Sequence, residues 1–350
     1  MRIEEACRAR VCESTVYRKN VSRDTHSNNS LSTINNGCLM KLTTHSLWLS
    51  IFALTVSLLF PVRINAHPGS GIVVDRHGNI YFVDTGGGVF KIDRNGRLSR
   101  LQGPAYHWMA IDIDGRLTNV TLPYFSSGDA TVTRVGADPA LLLSSDFPIV
   151  VGRDGSLYYP WRASQSSGDR LQVFRLARPA KPFGQAPSGK TSVFVTLPDS
   201  SEGGPLRWLN GIAVGLDSSI YFSENNAVRK ISSHGQLSTV ADNISLTGCA
   251  SIPGVDVPYL RGLDVDASGN VYVAASGCGS VLKITTDGRV TSILSSTSPW
   301  SPTGVAVSGN DLYVLEYLHT EGDNRRDWLP RVRKLSPDGR VSTIAEIKQR

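Results

Sequence analysis

The sequence predicts an all-β fold, a six-bladed β-propeller with four short strands per blade. Three observations carry this. A first-strand signature recurs six times, as Gly71-Ile-Val-Val, Trp108-Met-Ala-Ile, Pro148-Ile-Val-Val, Gly211-Ile-Ala-Val, Gly262-Leu-Asp-Val and Gly304-Val-Ala-Val. A third-strand signature, Val-x-(Lys/Arg)-(Ile/Val/Leu), follows each one, at Val89, Val132, Val173, Val228, Val281 and Val332. Glycine-bearing turns separate the runs, where a tight hairpin needs positive φ. One such sheet cannot bury both of its faces, so the units must stack on one another and close a ring.

The first copy is the cleanest. Ile72–Val74 meets an Asp-x-x-Gly turn, a second apolar run from Ile80 ends on Asp84, and glycines at 86–88 lead to the third strand at Val89. Asp93-Arg-Asn-Gly96 then turns into a fourth strand. Second strands end as Tyr81-Phe-Val-Asp84, Tyr158-Tyr-Pro-Trp161, Tyr221-Phe-Ser-Glu224, Tyr272-Val-Ala-Ala275 and Tyr313-Val-Leu-Glu316. Blade 2 lacks the aromatic in its second strand, near 117–120. Fourth strands follow Gly96-Arg-Leu, Gly235-Gln-Leu, Gly288-Arg-Val and Gly339-Arg-Val, and the last runs over 341–344. No strand is left over to cross the ring closure, which then rests on packing, or on a Cys249–Cys278 bond and loop contacts elsewhere.

Before the repeats lie two segments outside the fold. Residues 1–39 are polar and rich in Asn and Ser, form no domain, and point to a misplaced start with translation beginning at Met40. Residues 40–66 read as a secretory signal peptide: a basic start at Lys41, a 14-residue apolar run over 47–60, and Ala66 at the cut. The run is too short for an ordinary membrane span; a signal anchor behind a cytosolic tail is the other reading. The propeller then occupies 67–350, the protein is secreted or periplasmic, and the mature chain has no membrane span. Of 36 Lys+Arg and 30 Asp+Glu, the first 66 residues hold 8 and 4, so the mature chain is near neutral, at +2. That balance excludes nucleic acid as a partner. Cys7, Cys12 and Cys38 also fall in the leader, leaving Cys249 and Cys278, which in an exported chain most often pair. Asn119-Val-Thr121 and Asn243-Ile-Ser245 are glycosylation sequons.

The pattern G-(I/V)-(A/V)-V-D-x-x-G-N-(I/V)-Y-(F/V) followed by V-x-K-I resembles the NHL repeat. A six-bladed layout in an exported chain is similar to the SMP-30/gluconolactonase-like superfamily, over essentially all of 67–350. The resemblance implies the propeller fold and leaves function open, since that superfamily includes lactonases, lyases and binding modules. Its lactonases hold a divalent metal with a first-blade Glu, an Asn of an Asn-Gly pair and a later Asp of an Asp-Gly pair. Asn210-Gly211 matches the Asn; the other two positions read Ser70-Gly71 and Arg261-Gly262. A divalent metal is therefore disfavoured by Ser70 and Arg261, and Asn210 is the one remaining metal candidate.

Strand direction sorts the loops. The face where first strands begin, the top, carries long connections with aromatic and charged residues at 102–108, 161–170, 198–210, 243–261 and 316–331. Long loops on a rigid scaffold are where sites form. The residues heading the first strands, Ser70, His107, Phe147, Asn210, Arg261 and Thr303, are expected to ring the central channel. Asp84, Trp161, Glu224 and Glu316 at second-strand ends join them. His107 is the candidate base or metal ligand, and Arg261 offers a planar fork for a carboxylate or phosphate. The bland alternative has the three carboxylates accepting backbone N–H bonds, with Arg261 paired to one of them. The expected ligand-binding set is His107, Asn210, Arg261, Asp84, Glu224, Glu316 and Trp161. Top-loop aromatics, among them Trp208, Trp300, Trp328 and Tyr259, either stack on a ligand or pack between blades. His67 at a mature N-terminus is a further candidate, for copper. Third-strand Lys and Arg side chains are assigned no chemistry. The partner is a small polar or anionic ligand on the top face, and the protein a monomer. A lactonase or lyase with an altered metal site and a protein-interaction module are the alternatives.

Overall fold

The computed structural model describes residues 69–84, 87–101, 108–121, 133–135, 139–145, 147–163, 170–178, 191–199, 208–249, 256–318 and 328–348. The segments 1–39 and 40–66, His67, His107 and His319 lie outside them. Six four-stranded antiparallel sheets account for the strands. Blade 1 is β1 (Ile72–Val74), β2 (Ile80–Asp84), β3 (Gly88–Ile92) and β4 (Leu98–Leu101). Blade 2 holds β5 (Trp108–Asp112), β6 (Leu117–Thr121), β7 (Thr133–Val135) and β8 (Pro139–Ser144). Blade 3 holds β9 (Val150–Val151), β10 (Leu157–Ala163), β11 (Arg170–Leu176) and β12 (Thr191–Thr196). Blade 4 holds β13 (Gly211–Val214), β14 (Ile220–Ser223), β15 (Val228–Ile231) and β16 (Leu237–Ala241). Blade 5 holds β17 (Leu260–Val265), β18 (Val271–Ala275), β19 (Ser280–Ile284) and β20 (Val290–Ser295). Blade 6 holds β21 (Trp300–Ser308), β22 (Asp311–Leu318), β23 (Pro330–Leu335) and β24 (Val341–Glu346).

The repeated letters have a physical cause. In blade 1 the Asp75 carboxylate accepts the His77 and Asn79 backbone N–H groups, each at 2.8 Å, and Gly78 supplies φ 78°. The Tyr81 hydroxyl donates to the same carboxylate, and the Lys91 ammonium lies 5.6 Å from the Tyr81 ring centroid. Blade 5 repeats the set with Asp266, Tyr272 and Lys283. Blades 4 and 6 pair the cation directly with the turn carboxylate, Lys230 with Asp217 and Lys334 with Asp311, both at 2.7 Å. Blade 3 does so with Arg175 and Asp154 at 2.6 Å. The third-strand cation is thus one corner of a latch that ties the third strand to the bottom turn.

Blade 2 departs from the expected order. Its spatial sequence is β7-β6-β5-β8, and β8 lines the centre of the ring while β5 lies one place outward. Trp108-Met-Ala-Ile is therefore not the innermost strand. The chain's fourth strand of this blade folds back to the inner edge, and its end at Ser144 meets Gly71, so it runs against β1. Composition explains the exchange. The outer strands β4, β16, β20 and β24 mix polar residues into each run, whereas β8 reads Ala-Leu-Leu-Leu and buries Leu142 and Leu143. A strand covered on both sides needs such a continuous run.

Six apolar clusters fill the six seams. Blades 1 and 2 share Val83, Val89, Met109 and Leu143; blades 2 and 3 share Ala110, Phe147 and Tyr159; blades 3 and 4 share Val173 and Phe222. Blades 4 and 5 share Val228 and Leu263, and blades 5 and 6 share Val281 and Val314. The closing seam sets Ile72, Ile80 and Phe82 against Leu315, Tyr317, Val332 and Ala345, and the Tyr317 hydroxyl donates to the Val83 carbonyl at 2.6 Å. Closure is by packing and this bond, with no exchanged strand among the described residues.

The glycines that head the first strands are needed for closeness, not for φ. A Cβ on Gly211 would sit 2.6 Å from the Arg261 carbonyl oxygen. One on Gly262 would sit 2.9 Å from both Gly304 Cα and the Ser70 carbonyl oxygen, and one on Gly304 would fall on that same Ser70 oxygen. At this level the backbones of blades 4, 5, 6 and 1 touch.

Candidate functional site

The first strands and β8 enclose a central cavity of about 610 Å³. Many of the residues that line it are aliphatic, such as Val74, Leu141, Val151, Val214 and Val307, because inner strands carry apolar runs, but the surface they present to the cavity is more polar than apolar. Ser70, Phe147, Asn210 and Arg261, which the sequence placed around the channel, do line it. Thr303 is fully buried and donates to the Leu315 carbonyl. His107 lies outside the described residues, and the strand that follows it is not the inner one.

Arg261 sits in a heavily braced stretch. Its carbonyl accepts the Ser223 hydroxyl at 2.6 Å, and the Asn210 amide donates to Leu260 O at 2.8 Å and to Asn225 Oδ1 at 3.2 Å. Just upstream, Tyr259 adopts φ 46°, a strained value for a non-glycine residue. The carbonyls of Pro258 and Tyr259 accept the N–H groups of Gly277 and Ser276, at the head of a single 3-10 turn, Ser276–Cys278. That turn is itself tied back to the preceding top loop by the Cys249–Cys278 disulfide, with an S–S distance of 1.94 Å. Replacing both cysteines by serine should cost about 3–4 kcal/mol, from the loop of 29 residues that the bond closes. Denaturant unfolding of the double variant measures it; an unchanged midpoint would leave the hydrogen bonds as the only brace on Arg261.

The second-strand residues are placed differently. Asp84 is fully buried, with its carboxylate packed on Gly87, where a Cβ would collide with it. Glu224 is buried and ion-paired with Arg229. Glu316, also fully buried, pairs with Arg331 Nε at 2.5 Å and Arg333 at 3.0 Å, and accepts the Ser296 hydroxyl. Trp161 is buried against Phe147, their ring centroids 6.3 Å apart, in a cluster that includes Trp208. None of these four lines the cavity. Glu224 and Glu316 serve arginine ion pairs within their own blades, which neither the expected ligand set nor the backbone-bonding alternative anticipated.

One cavity residue escaped the sequence reading. Asp264 stands at a first-strand position where other copies carry Val73, Ala213 and Ala306. Its Oδ1 accepts the Val265 N–H and its Oδ2 the Val307 N–H of the next blade, both at 2.8 Å. Burial in the cavity wall pushes its carboxyl up to about 6, only partly offset by the two backbone bonds. The signal that could have found it is the break in an otherwise apolar column of the repeat alignment.

The residues at the rim do not fit a divalent metal. Ser70 and Arg261 occupy the positions where the resemblance wants carboxylates, and Asn210, whose NH2 donates to Leu260 O and Asn225 Oδ1, offers only a neutral amide oxygen. No group of three or more His, Cys, Asp or Glu is poised around a common point among the described residues. A guanidinium there opposes a cation that requires several anionic oxygens.

No protein-family model and no curated protein matches the chain. Several solved structures resemble it. A catalytically inactive virginiamycin B lyase from Staphylococcus aureus, determined with quinupristin, is 17% identical with a TM-score of 0.45, over 81% of this chain and 86% of that one. A calcium-binding protein, regucalcin, from Agrobacterium tumefaciens is 13% identical with a TM-score of 0.45, over 81% and 91%. A gluconolactonase from Xanthomonas campestris is 14% identical with a TM-score of 0.45, over 72% and 83%. What the chain has in common with all three is a likeness of fold, and by its own strand pairing that fold is a six-bladed β-propeller of four-stranded antiparallel blades.

Proposed function

We propose that this propeller is an exported small-molecule binder whose polar or anionic ligand enters the central cavity from the top face. The observation that supports it is the cavity of about 610 Å³, a volume in the range of small-molecule sites, with the braced Arg261 in its wall. Arg261 supplies the planar donor set for a carboxylate or phosphate, and Ser70 and Asn210 flank it as neutral polar groups. The lactonase-type reading is the weaker one, because the rim lacks the acidic oxygens that its metal requires. Export rests on the leader over 40–66.

A thermal-shift screen of small carboxylates and phosphate esters against the mature chain identifies the ligand, and titration of the Arg261→Ala variant tests the site. Loss of a charge-assisted hydrogen bond is worth about 1.5–3 kcal/mol, so affinity should fall by roughly 10- to 150-fold. Equal affinity in the variant would place the ligand elsewhere on the molecule.

A further inference from the structure

The cavity holds a charge that an anionic ligand does not explain. Asp264 is the only carboxyl among the described residues that line it; the other ionisable side chains there are Arg261 and Tyr259. Across the strand pair its neighbour Tyr272 directs its hydroxyl to Asp266 instead. Among the described residues, the partners of Asp264 are two backbone N–H groups, and no cation pairs with it.

A structural staple does not need this charge. The bond to Val307 joins blade 5 to blade 6, but the neighbouring seams do the same with neutral groups. Asn210 and Ser223 reach from blade 4 to the carbonyls of Leu260 and Arg261. Between blades 5 and 6 themselves, the Ser276 hydroxyl donates to the Pro302 carbonyl and the Ser301 hydroxyl to the Ser276 carbonyl. A buried carboxylate carries a desolvation cost that a hydroxyl or amide in the same place avoids. Each of its oxygens uses one acceptor site on the backbone and keeps another, since an ionised carboxylate has about four.

We infer that Asp264 is the recognition group for an organic ammonium, so that the central cavity takes a ligand carrying an amine on an apolar body. Aliphatic side chains among the lining residues, including Val74, Val214 and Val307, can pack on that body, and pairing with the ammonium supplies the missing countercharge. This deepens the small-molecule reading above and rests on the same cavity. Arg261 stands three residues away on β17, within the irregular stretch where the strand's register shifts between Leu260 and Leu263. A ligand with an acidic group at one end and an amine at the other would meet both.

The test is calorimetric titration of the mature chain with n-hexylamine, and with 1-hexanol and hexanoate as neutral and anionic partners of the same length. At pH 7.5, where the amine is protonated and Asp264 ionised, hexylammonium should bind at least tenfold more tightly than hexanol. Its affinity should be constant above about pH 6 and fall close to tenfold per unit below it, as the carboxyl protonates. Asp264→Asn should erase the preference for the amine over the alcohol, with thermal unfolding confirming that the variant is folded. Asp264→Glu, which keeps the charge, should retain part of the preference. Hexylamine binding no better than hexanol, or a preference that survives in Asp264→Asn, overturns the inference. Should carboxylate ligands still depend on Arg261 in that event, the small-molecule reading stands alone. Amine binding that needs Asp264 while Arg261→Ala changes nothing has the opposite meaning.

Discussion

Alanine at Gly304 should cost the ring more stability than any other single methyl added to a first strand. The added Cβ has nowhere to go: it meets the Ser70 carbonyl oxygen, with the Ser70 carbonyl carbon at 3.0 Å and an Ile72 methyl at 3.2 Å. These are mainly backbone atoms of the opposing blade, so no rotamer change relieves the clash. Overpacking that a core can absorb costs about 1–3 kcal/mol. Here the expected loss lies at or above the upper end, because relief requires blades 6 and 1 to separate at the closing seam. Gly309→Ala is the matched control. Its φ of 59° taxes any side chain, but the space around it is empty, so its cost should stay near ~1 kcal/mol. Urea unfolding of both variants decides it. Equal losses would mean that the close approach of the glycine level carries no weight in stability.

Neutralising Glu316 should be comparably damaging, for an electrostatic reason. The residue is fully buried, and Arg331 and Arg333 are themselves largely buried, at 16% and 14% side-chain exposure. Arg331 also lies over Trp300, its guanidinium carbon 4.0 Å from the ring centroid. Burial already pulls the Arg333 guanidinium below its ordinary range, and the Glu316 charge works against that. Glu316→Gln leaves two guanidinium groups with no countercharge among the described residues in a half-dry seam, which should cost about 3–5 kcal/mol. Glu224→Gln in blade 4 has the same position in its repeat and, among the described residues, pairs with Arg229; its loss should be smaller. A Glu316→Gln variant as stable as the parent would mean that water or a neighbouring loop already screens the pair.

Much of the architecture was legible because each letter of the repeat has one physical job. Asp75 and Gly78 make a turn, Tyr81 and Lys91 latch onto it, and apolar residues at spacing two fill the seams. Blade 2 was misread because its first-strand letters, Trp108-Met-Ala-Ile, are compatible with both the innermost and the second place. The decisive cue lay downstream, in the unbroken Leu141-Leu142-Leu143 run, which marks a strand covered on both sides. At the site, position in the repeat located Ser70, Asn210 and Arg261 on the cavity wall. It could not foresee that Asp84, Glu224 and Glu316, one strand farther out, do not line the cavity. Asp264 was missed for a different reason: a single acid inside an apolar signature reads as noise until the neighbouring blade is seen to offer Val307 N–H to it.

The closing seam also sets a schedule for the growing chain. Ile72, Ile80, Phe82 and Ile92 belong to the first blade to be made, and their partners Val332, Ala345 and Ile347 are among the last residues. At the usual elongation rate of about 5–20 residues per second, the interval between them is on the order of ten seconds to a minute. Throughout that time blade 1 presents an apolar face with no mate. A chain halted before β24 could set Leu315, Tyr317 and Val332 against blade 1 but would lack Ala345 and Ile347, so this seam is completed only when the outer strand of blade 6 is made.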